Sequence, residues 1–306
     1  MIESIQPYME HVKGNTYCVI TGYCRFPLYK LNETQAILID SGLPRDWQGI
    51  LECLQKENLQ IKAVLTSHLH PDHVGNHLNL QKTYGAKLYM TMHAAANCAS
   101  AMNQVATYAG IITYRRICKT MVTSIVPDGL IDWNAKTFTV EGMTFELLQL
   151  PGHSAEHLGI VTPDGVAYLG DTVLSAHVIK ALRAPFSVCV ELDLASKEFL
   201  AQTNYDRYIL AHNEVCDDIR EVALLNRDLT LQRADALCEL ASEYVNLDEL
   251  TRRAMKSAGS VLDSVHRVAG FKRNILPVVD YLIDMGKLTR RANDGVIEYI
   301  RTELAE

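Results

Sequence analysis

Between Leu65 and Gly75 the chain reads Leu-Thr-Ser-His-Leu-His-Pro-Asp-His-Val-Gly, three imidazoles and a carboxylate within six positions, just after the apolar run from Ile61 to Leu65. Four such groups on one short loop do not serve a hydrophobic core, because each buried polar group must find a partner or cost several kcal/mol. A divalent cation is such a partner. At an extended strand end His68 and His70 point to one side, since side chains alternate, and Asp72 and His73 turn toward a neighbouring position. The spacing suggests a pair of ions, each with its own ligands.

Two ions need ligands from elsewhere, and three isolated candidates each stand where an apolar run ends. They are His153 in Leu150-Pro151-Gly152-His153-Ser154, Asp171 in Leu169-Gly170-Asp171-Thr172, and His212 in Ile209-Leu210-Ala211-His212-Asn213. Each run reads as a buried strand whose next residue emerges at the sheet edge, where open α/β sheets put their binding sites. Asp40, after Ala36-Ile37-Leu38-Ile39, is placed in the same way.

In this order, Asp40, His68, His70, Asp72, His73, His153, Asp171 and His212 resemble the signature of the metallo-β-lactamase superfamily, over residues from about 15 to 215. The resemblance implies one ion held by His68, His70 and His153, a second by Asp72, His73 and His212, and Asp171 bridging them. It places Asp40 behind a ligand histidine, where a carboxylate accepts the free ring N–H and fixes the tautomer. It also implies a bridging hydroxide as nucleophile, with Asp72 shuttling a proton to the leaving group. Two divalent ions are expected, zinc best matching imidazole plus carboxylate, although iron and manganese use similar sets.

The elements that must position these groups follow from the pattern around them. At 306 residues, 48% hydrophobic and 21% charged, the chain can bury one large or two smaller cores. Strands are expected at residues 16–21, 35–39, 62–66, 87–91, 137–140, 144–150, 159–162, 166–169 and 208–210, alternating with amphipathic stretches. Composition and spacing predict only an α/β chain. The resemblance makes it an αββα sandwich, two sheets with helices outside and the metals at one edge. From His93 to Asn134 the alternation breaks into helix-like sequence with Tyr108, Tyr114, Arg115, Arg116 and Lys119 interspersed, either a helical cover or a wall that attracts an anionic substrate.

Past about residue 218 the chain turns helical. A catalytic domain 1–218 and a C-terminal domain 219–306 are expected. Leu237, Leu240, Ala241 and Tyr244 have the spacing of one helix face. Asn246 with Glu249 reads as a capping box, a third helix spans about Asn274 to Met285, and Asn293-Asp294-Gly295 turns a hairpin. Three helices and a hairpin resemble a winged helix, a module carried by a subset of the superfamily that includes single-stranded-RNA endonucleases. Lys272, Arg273, Lys287, Arg290 and Arg291 would form its basic patch. Against nucleic acid, this part carries 13 basic and 14 acidic side chains and the whole chain a net charge of −7.

The eight cysteines are scattered without a C-x-x-C pair and read as reduced and buried. No basic start precedes an apolar stretch at the N-terminus and no run approaches 18 apolar residues, so a cytoplasmic protein off the membrane is expected, and an antibiotic-degrading role is disfavoured. Among the remaining histidines, His157 reads as support for the site or as a turn residue bonding backbone, His93 and His177 as pocket candidates, and His11, His77 and His266 as structural or solvated.

Three functions compete at this point. The foremost is a dinuclear hydrolase of a small thioester, ester or lactone. The others are a phosphodiesterase or endoribonuclease guided by the winged helix, and a mononuclear iron sulfur dioxygenase. A small-molecule partner is favoured over nucleic acid, and a homo-oligomer stays open.

Overall fold

Short apolar runs become strands here because both of their faces find cover. In the computed structural model, which describes residues 6–100, 102–104, 124–212, 214–260 and 262–305, seven strands lie side by side in chain order. They are β1 (Tyr8–Lys13), β2 (Thr16–Ile20), β3 (Arg25–Lys30), β4 (Gln35–Ile39), β5 (Gln60–Leu65), β6 (Lys87–Thr91) and β7 (Gly129–Ile131). β1 to β4 pair antiparallel and β4 to β7 parallel. Parallel neighbours need a crossover, supplied by α1 (Trp47–Lys56) between β4 and β5 and by α2 (Pro71–Val74) and α3 (His77–Tyr84) between β5 and β6; α4 (Met92–Cys98) follows β6.

The second sheet runs β13-β12-β11-β10-β9-β8, with β8 (Thr137–Val140), β9 (Met143–Gln149), β10 (Leu158–Val161), β11 (Val166–Tyr168), β12 (Arg207–Leu210) and β13 (Glu214–Cys216). Its strands alternate strictly. Leu147, Ile160, Val166, Tyr168 and Ile209 enter the core shared with the first sheet. Their neighbours Leu148, Val161, Ala167, Leu169, Tyr208 and Leu210 enter a second cluster with Leu200, Ile219 and Ala223. Period-two side chains therefore put one face of this sheet on the first sheet. The other face lies under α6 (Val190–Leu200) and α7 (Arg220–Glu239), which follow the short α5 (Ala176–Ala181). Two packed sheets with helices outside are the expected sandwich.

All nine expected strands form, within about two residues at each end. Four further strands of these two sheets escaped the pattern. β3 carries Pro27, which cannot donate to a ladder; β1 is largely exposed, and β7 and β13 have three residues each. β7 also corrects the helical reading of 93–134, of which Tyr108, Tyr114, Arg115, Arg116 and Lys119 lie outside the described residues. The seven described cysteines are free. No described helix is long and apolar enough to cross a membrane.

The C-terminal region contains α7, α8 (Leu247–Ser257), α9 (Val265–Asp284) and a small sheet of β14 (Val245–Asn246), β16 (Val296–Arg301) and β15 (Leu288–Asn293). Leu237, Leu250, Ile275, Val279, Leu282 and Leu288 form its core. Asn246 caps α8, its side-chain oxygen accepting the Glu249 N–H at 2.9 Å. The hairpin turns on Asp294 and Gly295, both at positive φ, as a two-residue turn requires. Two expectations shift. α7 ends at Glu239, leaving Leu240, Ala241 and Tyr244 beyond it, and α9 begins at Val265 rather than Asn274, running on through Gly270 and Pro277, both poor helix formers.

The expected basic patch is broken up by carboxylates. Lys272 pairs with Asp248 at 2.6 Å, Lys287 with Asp235 at 2.7 Å and Arg291 with Glu298 at 2.9 Å. Arg273 instead stacks on Phe186, in the segment between α5 and α6, at 4.1 Å.

Candidate metal centre

β5 ends at Leu65, and the next nine residues fold back as a loop and one helical turn rather than continuing the strand. His68 and His70 sit on the loop. Asp72 and His73 sit on α2, whose first residue is Pro71, a position that needs no N–H donor. The loops after β9, β11 and β12 deliver His153, Asp171 and His212 to the same edge of the sandwich.

The seven side chains converge as two groups. His68 Nε2 and His153 Nε2 lie 3.0 and 2.9 Å from His70 Nδ1, and 4.0 and 3.4 Å from Asp171 Oδ2. On the other side His73 Nε2 and His212 Nε2 each lie 3.2 Å from Asp171 Oδ1, and 3.8 and 3.6 Å from Asp72 Oδ2. Asp171 thus turns one oxygen to each group.

Four of these rings are aimed by a partner on the far nitrogen. The Nδ1–H groups of His153 and His212 donate to the carbonyls of Phe186 and Tyr23, both at 3.2 Å. His73 Nδ1–H donates to Asp40 at 2.7 Å, and His68 Nδ1–H to Ser67 Oγ at 3.0 Å. Asp40 takes a left-handed backbone (φ 64°), uncommon without glycine. Its carboxylate also accepts from Ser67 N–H, Ser67 O–H and Tyr168 O–H at 2.8, 2.6 and 2.8 Å.

These residues fit a cation. Burial holds His68 and His153 well below the ordinary imidazole value and His70 at about 4, so three neutral rings aim lone pairs at one point, where they cannot hydrogen-bond to one another. Burial would push the Asp171 carboxyl up, but the His212 and His73 imidazoles hold it well below the usual range. For His73 burial is outweighed by Asp171, Asp72 and Asp40, which raise it. His73 Nε2 and Asp171 Oδ1 are both buried without a hydrogen-bond partner. Such orphans are costly in an interior, and a divalent ion ligated by both would remove the cost.

His157 lies behind the cluster. Its ring stacks on His68 at 4.6 Å, and its Nε2 accepts the backbone N–H of Asp171 at 3.2 Å. His77 bridges Ser41 and Thr66 in the core, whereas His93 and His177 stay out of the cavity. Three contributors had no readable signal: Tyr168 behind Asp40, Phe186 beside His70 and His153 (5.4 and 5.5 Å), and Tyr23 against His212 (4.7 Å). Gly152 fixes the approach of α6, since a Cβ there would meet the Asp193 backbone at 2.3 Å.

The cluster opens into a cavity of about 710 Å³ that continues between α5, α7, α8 and α9. The profile of the Metallo-beta-lactamase superfamily matches residues 28–212. The chain belongs to this superfamily.

Among curated relatives, the hydroxyacylglutathione hydrolase GloC of Haemophilus influenzae is 23% identical over 148 residues, 48% of this chain and 65% of that protein. A hydroxyacylglutathione hydrolase of Albidiferax ferrireducens is 25% identical over 47% of this chain and 46% of its own length. The beta-lactamase-like protein 2 homolog of Drosophila melanogaster is 28% identical, covering 46% and 44%. The chain thus spans between about half and two thirds of the curated relatives it matches. Among solved structures, a metallo-beta-lactamase family protein of Thermus thermophilus covers 97% of each chain at TM-score 0.71 and 18% identity. A beta-lactamase domain protein of Burkholderia ambifaria covers 96% and 94% at 0.72 and 17%. The shared fold therefore includes the C-terminal helices. These relatives support a hydrolase, and the His and Asp groups support divalent metal binding.

Proposed function

We propose that this superfamily member is a dinuclear metal-dependent hydrolase of a small thioester, ester or lactone. The observation that carries the reading is Asp171, whose two oxygens face two complete donor sets at the mouth of one cavity. His68, His70 and His153 would hold one ion and Asp72, His73 and His212 the other, with zinc the best match. Bound ions lower the pKa of water from about 15.7 to about 7 and polarise a carbonyl. Asp72 lines the cavity, which supports a role for it in carrying the proton from the water to the departing sulfur or oxygen. The net change adds water across the acyl bond, releasing an acid and a thiol or alcohol. A complete second set supports two ions over the single iron of a dioxygenase.

The relatives named as hydroxyacylglutathione hydrolases favour a thioester. The C-terminal part, residues 219–306, is proposed as a winged-helix-like domain that walls the pocket. Phe271, Ile275 and Val278 of α9 line the cavity, and its cations are largely paired, which supports this role over nucleic-acid reading.

Protein purified without added metal should carry two zinc ions per chain and hydrolyse members of a panel of thioesters and lactones. His70→Ala should lose turnover by on the order of a hundredfold or more while keeping its circular dichroism and melting behaviour. One iron per chain without hydrolysis, or phosphodiester cleavage alone, would overturn the proposal.

A further inference from the structure

The cavity is larger than the site of attack needs, and its walls are of two kinds. Val178 on α5 and Leu237, Phe271 and Val278 on α7 and α9 give it an apolar interior between the two halves of the molecule. Outside the ligand groups it is also lined by five cationic side chains, Lys180, Arg183, Lys197, Arg233 and Arg273, against one carboxylate, Asp193, which pairs with Lys197.

The cations are placed rather than scattered. Arg273 stacks on the Phe186 ring, itself 5.4 Å from His70, so a positive charge stands close to the metal ligands. Arg233 donates to the carbonyls of Ile179 and Leu182 at 2.6 and 2.8 Å, pinning the end of α5 where Lys180 and Arg183 are exposed. An apolar interior excludes a wholly polar substrate, because stripping water from polar groups is unfavourable. The surplus of positive charge favours an anionic portion beside the apolar one.

We infer that the chamber takes the apolar acyl chain of a thioester whose thiol half is anionic, cleaved where the chamber meets the metal ligands. The inference rests on the hydrolase reading and narrows it. Water oxygen joins the acyl carbon, the carbon–sulfur bond breaks with its electron pair on sulfur, and the proton ends on the thiolate.

Zinc-loaded full-length protein is assayed by thiol release on acetyl-coenzyme A, octanoyl-coenzyme A and octanoyl-N-acetylcysteamine. Burying one methylene is worth up to about fourfold, so octanoyl- over acetyl-coenzyme A should differ in kcat/KM by about tenfold or more. Octanoyl-coenzyme A should exceed the uncharged N-acetylcysteamine ester by about tenfold, a margin that salt erodes. Val178→Trp and Val278→Trp fill the chamber from opposite walls, and each should reverse the chain-length preference, either alone sufficing if the other misfolds. Binding is read separately by calorimetry of octanoyl-coenzyme A with His70→Ala protein. Hydrolysis with either ratio near one overturns the inference and leaves the hydrolase standing. Chain-dependent binding without any hydrolysis supports the chamber and overturns the hydrolase.

Discussion

Every partner of the Asp40 carboxylate is a donor: Ser67 N–H, Ser67 O–H, Tyr168 O–H and His73 Nδ1–H. Asp40→Asn would turn an NH2 group toward at least one of them, so the substitution breaks a set that only an acceptor satisfies. The consequence falls on His73, whose Nε2 faces the second group only while Nδ1 keeps its proton. Supporting partners of this kind are worth about 10- to 100-fold in metal affinity. Competition with a chelator should therefore show one of two ions held that much more weakly in Asp40→Asn. Equal affinity for both ions would mean that Asp40 only ties strands together. The seven converging residues were readable because imidazoles and carboxylates at strand ends have few other uses. Tyr168, Phe186 and Arg273 were not, since an aromatic or arginine beside a site looks in sequence like one in a core or on a surface.

At the scale of elements, α3 is held to the sheet edge by its cap Asn76, bonded to Ser41 and Leu43, by buried Leu80 and by a histidine. His77, in its first turn, hydrogen-bonds Ser41 after β4 at 2.7 Å and Thr66 after β5 at 2.8 Å. Burial lowers its pKa to about 4, against 6.5 for a free imidazole. The folded ring stays neutral where the unfolded one takes a proton, so the stabilisation is complete above pH 6.5 and is lost as pH falls toward 4. The full span is worth about 3 kcal/mol. Urea midpoints of the metal-free protein measured from pH 7 down to 4 should fall less steeply in His77→Leu than in the parent, even though the parent is more stable at pH 7. Parallel slopes would show that His77 titrates alike in both states. The same scale explains which strands were legible. β4, the end of β5 and β10 to β12 announce themselves by runs buried on both faces and β9 by alternation, whereas β3 is interrupted by Pro27 and β7 and β13 are too short to show a period.

For the whole molecule, the change in composition near residue 218 marks a boundary that α7 does not respect. Ile219 and Ala223 pack at its start with Leu148, Leu169 and Leu210 on the outer face of the second sheet, while Ala234 and Leu237 pack at its end with Leu250, Val279 and Leu282. Its apolar residues therefore serve two cores on different sides, which blurs the single stripe that a sequence pattern detects. A chain cut after residue 218 would bare that sheet face and one wall of the cavity. Each large side chain left bare costs about 1.5–3 kcal/mol, and a few of them approach the 5–15 kcal/mol that holds a domain together. The fragment 1–218 should accordingly aggregate or melt well below the full chain and lose the proposed thioester turnover even with zinc supplied. A monomeric fragment with parent-like melting and turnover would make residues 219–306 an appendage. Losing only salt-sensitive RNA binding on truncation, with hydrolysis intact, would favour residues 219–306 as a nucleic-acid guide over the proposed pocket wall.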